Sequence, residues 1–484
     1  MIGQDDIVYM IVTDRFADGD ITNNDDVDEN DPTKRHGGDL RGIIERLPYL
    51  KDLGVTTLWL TPVYLNSRDA YHGYHPLDFE RIDPHLWSAS LANGEDLADD
   101  RDKFAHFVSA VHEQGLKVLF DAIICHTAPS HPWLRQCPGW FNRNQSDPKK
   151  WWIWGLPDLN HDNIDVNMYF ARNLLEWIDR TGVDGVRIDA ARHVESQFWH
   201  TLKLFTKGLR PDVTMLGEVW DQDVQVVAPY QAYHGFDAMF DYPLYDALIE
   251  VFARDQHFGR IARPELSDDE PLGILNQDHA YRNAYHLVTF IDNHDTPRFF
   301  HQAGGEAQPE AALARQQMAL AFLLTTRGIP QLYYGSELAL DGGPDPDNRR
   351  DMPWTRLDKD NQSTESARAR QLHMYVQRLI AVRQASRALR YGLLTTLYVS
   401  STVHAFARSF PGDLCIVVLN NGWNTDQLTI PLTANPRMPS VALEQLPSTG
   451  SLMNELIPDD QTELTDQGLS VQIPPKTAAI YRCP

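Results

Sequence analysis

Cysteine is scarce in this chain. Cys125, Cys137, Cys415 and Cys483 are scattered through 484 residues with no CxxC pair, which indicates neither a zinc site nor a disulfide framework. Positive charge is also in deficit. Lys and Arg number 43 against 67 Asp and Glu, and the formal net charge of -24 would repel a phosphate backbone, so nucleic acid is a poor partner and a neutral substrate a good one. No stretch approaches the roughly 20 continuous apolar residues that a membrane span requires. The start of the chain shows no basic segment followed by an apolar one; Met1 runs almost directly into strand-like Ile7–Val12, the pattern expected of a cytoplasmic protein. Glycine-rich nucleotide loops, internal repeats and low-complexity linkers are missing too, which argues against an open dinucleotide-binding sheet.

What is present is an alternation. Short apolar runs at 8–13, 57–61, 117–122, 185–189, 214–218, 237–240, 286–291 and 331–334 read as strands. Amphipathic stretches at 42–53, 102–114 and 169–180 lie between several of them, with apolar residues recurring every three or four positions. Gly54, Gly115 and Gly182 follow these stretches as helix C-caps. Eight strands alternating with helices predict a parallel (β/α)8 TIM barrel within an α/β fold, spanning 1–126 and 166–392. The connection after the third strand, 127–165, is long enough to be a loop-rich inserted B domain, and it carries Trp133, Trp140, Trp151, Trp152 and Trp154. Beyond about residue 393 the texture changes to short strands separated by turn residues, so 393–484 is expected to form an antiparallel β-sandwich.

In such a barrel, chemistry sits at the C-terminal ends of the strands. The third strand leads into Asp121 to His126, the fourth ends at Asp189, the fifth at Glu218, and the seventh leads into Asp292 to Asp295. A single Asp or Glu is most often a solvated or capping group. Carboxylates at the ends of apolar strands are costly to desolvate unless they are paired or used. Arg187 lies two residues before Asp189, hence on the same strand face, where it would keep that carboxylate ionised. Glu218 follows Met215-Leu216-Gly217, a setting that favours the protonated acid. One ionised and one protonated carboxyl are the minimum equipment for glycoside hydrolysis, and a separation of about 5 Å would give retention.

These strand ends resemble the signature regions of the α-amylase family, glycoside hydrolase family 13. The matches run in order over Asp121–His126, Gly185–His193, Gly217–Trp220 and Phe290–Asp295, with Leu156-Pro-Asp-Leu-Asn160 in the long connection. The resemblance covers roughly residues 5–355 and leans toward the neopullulanase, cyclomaltodextrinase and cyclodextrin glucanotransferase branch. It implies Asp189 as nucleophile, Glu218 as general acid/base and Asp295 as the third essential carboxylate. It further implies that His126 and His294 stabilise the transition state at the –1 glucose, and that Arg187 positions the nucleophile. Tyr74 would stack on that glucose and His72 would hydrogen-bond it. Asp345 and Arg349 would contact the neighbouring glucose, while Arg192 and His193 would face the +2 subsite.

Asp18-Gly-Asp20-Ile-Thr-Asn23-Asn24 is rich in hard oxygen donors, to which Gly37 and Asp39 could return, and such spacing suits Ca²⁺. An Asx-rich turn is the plainer reading. The segment also resembles the N-terminal calcium loop of cyclodextrin glucanotransferases. A departure stands beside this likeness. The family's first region has Asn before its histidine as a ligand of a second calcium; here the residue is Cys125, a poor ligand for a hard cation, so that second site is expected to be absent. The resemblance therefore implies a retaining hydrolase of α-1,4-linked maltooligosaccharides, starch-like glucans or cyclodextrins. The alternatives are a transglycosylase with the same residues and, more remotely, a non-catalytic binding barrel. With no extra domain ahead of the first strand, a monomer is expected.

Overall fold

The computed structural model describes residues 1–92, 97–143, 155–264, 271–432, 435, 437–444, 446, 450–457 and 461–483. Trp151, Trp152 and Trp154 lie outside the described residues. Among the described residues, no helix is long and apolar enough to cross a membrane.

Every one of the eight expected apolar runs is a strand: β1 Val8–Ile11, β2 Thr57–Leu60, β3 Lys117–Ala122, β4 Gly185–Ile188, β5 Thr214–Gly217, β6 Ala238–Phe240, β7 Leu287–Thr289 and β8 Ile329–Tyr333. They are buried almost throughout, as parallel strands covered on both faces must be, which is why they read as continuous apolar runs. The strands close into a parallel barrel in the order β1-β8-β7-β6-β5-β4-β3-β2. Helices α1 Leu40–Leu53, α2 Asp100–Glu113 and α3 Ile164–Thr181 begin on the side-chain caps Asp39, Asp99 and Asn163. Gly54, Gly115 and Gly182 end these segments at positive φ, the backbone region glycine adopts without a Cβ penalty.

By compactness the chain divides into two units. One comprises Met1–Asp221, Gln225–Phe240 and Asp345–Met352; the other comprises Gln222–Val224, Asp241–Pro344 and Pro353–Pro484. The first holds β1–β6 and a hairpin of Tyr64–Asn66 with Pro76–Ile82, inserted after β2. The connection after β3 returns on itself: Leu159 N–H donates to Cys125 C=O at 2.8 Å, and Thr127 N–H to Pro157 C=O at 3.1 Å. Trp133 and Trp140 pack edge-on with ring centres 4.8 Å apart, and Phe79 stacks on Trp133, so these two half-buried tryptophans join a local aromatic cluster.

The second unit holds β7, β8 and the C-terminal strands: β9 Leu393–Val399, β10 Val403–Phe410, β11 Asp413–Asn420, β12 Asp426–Ile430, β13 Gly450–Met453, β14 Gln461–Thr465, β15 Gly468–Ile473 and β16 Thr477–Cys483. They form two antiparallel sheets, β9-β10-β11-β16 and β12-β15-β14-β13. Inward residues of both sheets, among them Ala405, Ile416, Val418 and Tyr481 from one and Ile430, Leu464 and Val471 from the other, share one core, which makes a sandwich.

Candidate active site

The hairpin places the first two side chains. Asn66 fixes the loop between its strands by accepting from His75 N–H at 2.7 Å. Gly73 has φ +88°, and a Cβ there would meet Pro62 C=O at 2.3 Å, so only glycine lets the chain turn between His72 and Tyr74. Tyr74 N–H donates to His72 Nδ1 at 3.0 Å. Burial, reinforced by the Arg349 charge, lowers the His72 pKa and keeps the ring neutral.

Tyr74 O–H then donates to Asp121 Oδ2 at 2.8 Å, and Trp59 Nε1–H to the same oxygen at 2.9 Å. Asp121 Oδ1 accepts from Arg187 Nη1 at 2.8 Å. Burial raises the Asp121 pKa; the Arg187 charge opposes that rise and the Asp189 charge adds to it. Sequence reasoning gave Asp121 and Trp59 no role. The signal was available, because Asp121 interrupts the apolar run Val118-Leu119-Phe120 and cannot be buried there without donors.

Arg187 is the hub. It is fully buried, and the same Nη1 donates to Asp189 Oδ1 at 2.7 Å, as the two-residue spacing on β4 requires. Nη2 stands 2.7 Å from Glu218 Oε2, within ion-pair distance but off the hydrogen-bond direction, and Nε has no partner. Burial works against the guanidinium charge, but Asp121, Glu218, Tyr74 and Asp189 outweigh it and raise the Arg187 pKa.

Asp189 and Glu218 each lie one residue beyond a strand end, still tethered by N–H bonds to Ala122 C=O (3.0 Å) and Ile188 C=O (3.2 Å). Ala190, next to Asp189, takes a left-handed conformation at φ +48° and donates its N–H to Glu218 Oε2 at 3.2 Å. Such a φ is costly for a residue with a Cβ and persists only where surroundings enforce it. His126 Nδ1 lies 3.7 Å from Asp189 Oδ2, and its Nε2 lies 2.9 Å from Tyr74 C=O. Three carboxyls thus surround one guanidinium, so Asp189 shares its counter-ion with Asp121 and Glu218.

The other expected residues divide between the units. In the first, Arg349 pairs with Asp345 at 3.2 Å, and Arg192 with Asp221 at 2.8 Å beside half-buried His193. In the second, Asn293 Oδ1 accepts from Asp295 N–H at 2.9 Å, and His294 Nε2 lies 3.3 Å from Asp295 Oδ2. Asp292 braces this segment by accepting from Phe299 N–H and Ser336 O–H, each at 2.9 Å.

The N-terminal loop has its own polar cluster. Asp39 accepts from Gly42 N–H (2.6 Å), Gly19 N–H (3.2 Å) and Asn23 Nδ2 (3.2 Å), and Asp18 from Asn24 Nδ2 at 2.6 Å. Asp20 is engaged by Thr22 and Ser88. Asn23 Oδ1 and Asn24 Oδ1 are buried acceptors without a donor, and a Cβ on Gly37 would lie 2.8 Å from Asn24 Oδ1. Burial raises the Asp39 pKa, and the Asp18 charge adds to the rise. Unsatisfied oxygens beside crowded carboxylates fit a hard cation.

Comparison with known proteins bears on all of this. The family described as alpha amylase, catalytic domain, matches residues 10–155 and 150–392. A beta/alpha-amylase of Paenibacillus polymyxa is 31% identical over 98% of the chain, which spans only 37% of that protein's length. A cyclomaltodextrinase of Thermoanaerobacter pseudethanolicus is 31% identical over 86% of the chain and 70% of its own length. Among solved structures, an Anoxybacillus α-amylase superposes with a TM-score of 0.83 at 32% identity, covering 100% of this chain and 98% of that one.

Proposed function

The chain belongs to the alpha-amylase family of glycoside hydrolases, and from that premise we propose that it cleaves α-1,4 bonds of maltooligosaccharides, starch-like glucans or cyclodextrins with retention of configuration. The observation that carries this reading is Arg187 bridging Asp189 and Glu218 at 2.7 Å each. Asp189 attacks the anomeric carbon while Glu218 protonates the departing glycosidic oxygen. A glucosyl ester on Asp189 results. Glu218, now a carboxylate, takes a proton from water and the ester is hydrolysed. Arg187 and its carboxylates hold both groups against the charge that develops. His72, Tyr74 and His126 would hold the –1 glucose, and the family likeness gives His294 and Asp295 the part of contacting sugar hydroxyls. Asp345 and Arg349 would meet the next sugar, and Arg192 and His193 the +2 sugar.

The test is a time course on maltoheptaose, β-cyclodextrin, pullulan and soluble starch, with the first-formed anomer read by NMR. The α-anomer is expected. A β-anomer would overturn the retaining mechanism, and predominant transfer to sugar acceptors would make the protein a transglycosylase.

A Ca²⁺ ion held by Asp18, Asn23, Asn24, Asp39, the Gly37 carbonyl and Asp20 belongs to the same reading, supported by the two orphaned amide oxygens. It would fix the loop ahead of α1 and take no part in bond cleavage. Chelation should lower Tm in the wild type and leave Asn23→Ala/Asn24→Ala unmoved. The four cysteines are free thiols, which supports a reducing, cytoplasmic setting.

A further inference from the structure

We propose that Cys125, His126 and Asp189 form a site for a soft or borderline divalent cation, Zn²⁺ being the type, and that a cation held there blocks the nucleophile. One ligand atom from each of the three lies within 4.8 Å of the other two. Cys125 Sγ is 3.2 Å from His126 Nδ1, and that nitrogen is 3.7 Å from Asp189 Oδ2. Zinc bonds of about 2.0–2.3 Å in tetrahedral array put ligand atoms about 3.3–3.6 Å apart, so the two distances to His126 need shifts of only a few tenths of an ångström, while the thiol and the carboxylate, which lie within 4.8 Å, must close by up to about 1 Å.

The tautomer agrees. His126 Nε2 lies 2.9 Å from Tyr74 C=O, an acceptor only, so this nitrogen carries the proton. The Nδ1 lone pair then faces the thiol, with the Asp189 carboxylate 3.7 Å away. An imidazole that donates its far N–H to a backbone carbonyl is in the setting metal-bound histidines usually have. Binding would follow Cys–SH + M²⁺ → Cys–S–M⁺ + H⁺, with the proton released to solvent and no change of oxidation state.

What makes this site particular to the chain is Cys125. A carboxamide at that position would favour a hard cation; a thiol beside an imidazole favours Zn²⁺, Cd²⁺ or Co²⁺ instead. A second hard-cation site there does not fit this donor set. Blocking of turnover rests on the reading of Asp189 as nucleophile, whereas binding of the cation does not. The two can therefore fail separately.

The experiment uses the full chain in saturating Ca²⁺, which keeps the N-terminal loop out of the titration. Cd²⁺ or Co²⁺ is added and the thiolate-to-metal charge-transfer band is followed; Zn²⁺ inhibition of maltoheptaose hydrolysis is measured alongside. The wild type should show one band-forming ion per chain and inhibition competitive with substrate. Cys125→Ser, which keeps a hydrogen-bond donor to His126, should lose the band. Removing a partner outside the ligand shell typically costs about 10- to 100-fold in affinity, so losing a ligand should raise the inhibitory Zn²⁺ concentration by at least about tenfold. Cys137→Ser should change neither reading. No band in the wild type, a band lost in Cys137→Ser instead, or equal inhibition of Cys125→Ser would overturn the site. A band without inhibition would overturn the blocking of Asp189.

Discussion

Arg187 in the first unit and Arg327 in the second are both fully buried, and both face more than one carboxylate. Arg327 is saturated. Its Nε and Nη2 grip Asp278 at 2.7–3.1 Å and its Nη1 takes Asp241, which also caps the following helix through Leu244 N–H. Every guanidinium nitrogen has an acceptor. Arg187 instead divides one nitrogen between Asp121 and Asp189, meets Glu218 out of line with Nη2, and leaves Nε unused. A closed ion cluster fastens the chain. An open one, whose single cation is shared among three carboxyls with donors to spare, can rearrange its contacts as charge develops on a substrate. The same residue types thus serve as rivet in one place and as reaction centre in the other.

If that distinction is right, the two clusters should respond to mutation in different currencies. The largest effect is expected from Asp189→Asn, which should lower kcat by on the order of 10⁴-fold while Tm moves little, because the amide still accepts from Arg187. Near-native turnover would end the comparison at once. Arg187→Lys should lower kcat by on the order of 10²–10³-fold, since a single ammonium cannot bridge Asp121, Asp189 and Glu218. Arg327→Met should do the reverse, costing about 3–5 kcal/mol of stability by leaving Asp241 buried without its counter-ion, with kcat per folded molecule within about twofold of wild type. Equal activity losses in the two arginine variants would erase the difference drawn between them.

A third way of burying a titratable group is to refuse the charge. His404 is fully buried among Phe258, Phe322 and Phe406, and desolvation lowers its pKa to about 3. The unfolded chain takes up a proton near pH 6.5 that the folded chain declines until about pH 3. Stability from this group is therefore complete above pH 6.5 and falls as pH drops from 6.5 toward 3, with a limiting slope of about 1.4 kcal/mol per pH unit. Urea titrations across that window should give a shallower slope for His404→Phe than for the wild type. Parallel slopes would show that the ring does not stay neutral.

Much of this was legible because it is local. Apolar runs gave all eight barrel strands with ends at most two residues out. Asp189 and Glu218 were assigned to strands but sit one residue beyond them, each still bonded through its N–H to the neighbouring strand, and after Asp189 the chain turns at left-handed Ala190. The spacing of Arg187 and Asp189 sufficed to foresee their contact. The hairpin Tyr64–Asn66 with Pro76–Ile82, by contrast, is short and broken by register shifts, and its stability comes from packing such as Tyr64 on Phe79. The Asp121 cluster draws Trp59 from β2, Tyr74 from the hairpin loop and Arg187 from β4, and no window of sequence contains all of them.

That dispersed cluster supplies the smallest effect and the finest test of the comparison. Tyr74 is expected both to stack on the sugar and to donate to Asp121, and Tyr74→Phe separates the two by keeping the ring and removing the donor. A hydrogen bond to a charged group contributes about 1.5–3 kcal/mol, but Trp59 still donates to the same Asp121 oxygen and Arg187 to the other, so part of that loss is absorbed. Turnover should drop by on the order of tenfold with KM nearly unchanged. Tyr74→Ala also removes the stacking face, and KM should then rise. If Tyr74→Phe keeps wild-type turnover and only Tyr74→Ala loses activity, the hydroxyl does nothing for the Arg187 centre, and Asp121 belongs with Asp241 among the rivets. A kcat loss confined to the hydroxyl would place Asp121 among the groups that position Arg187 for the reaction.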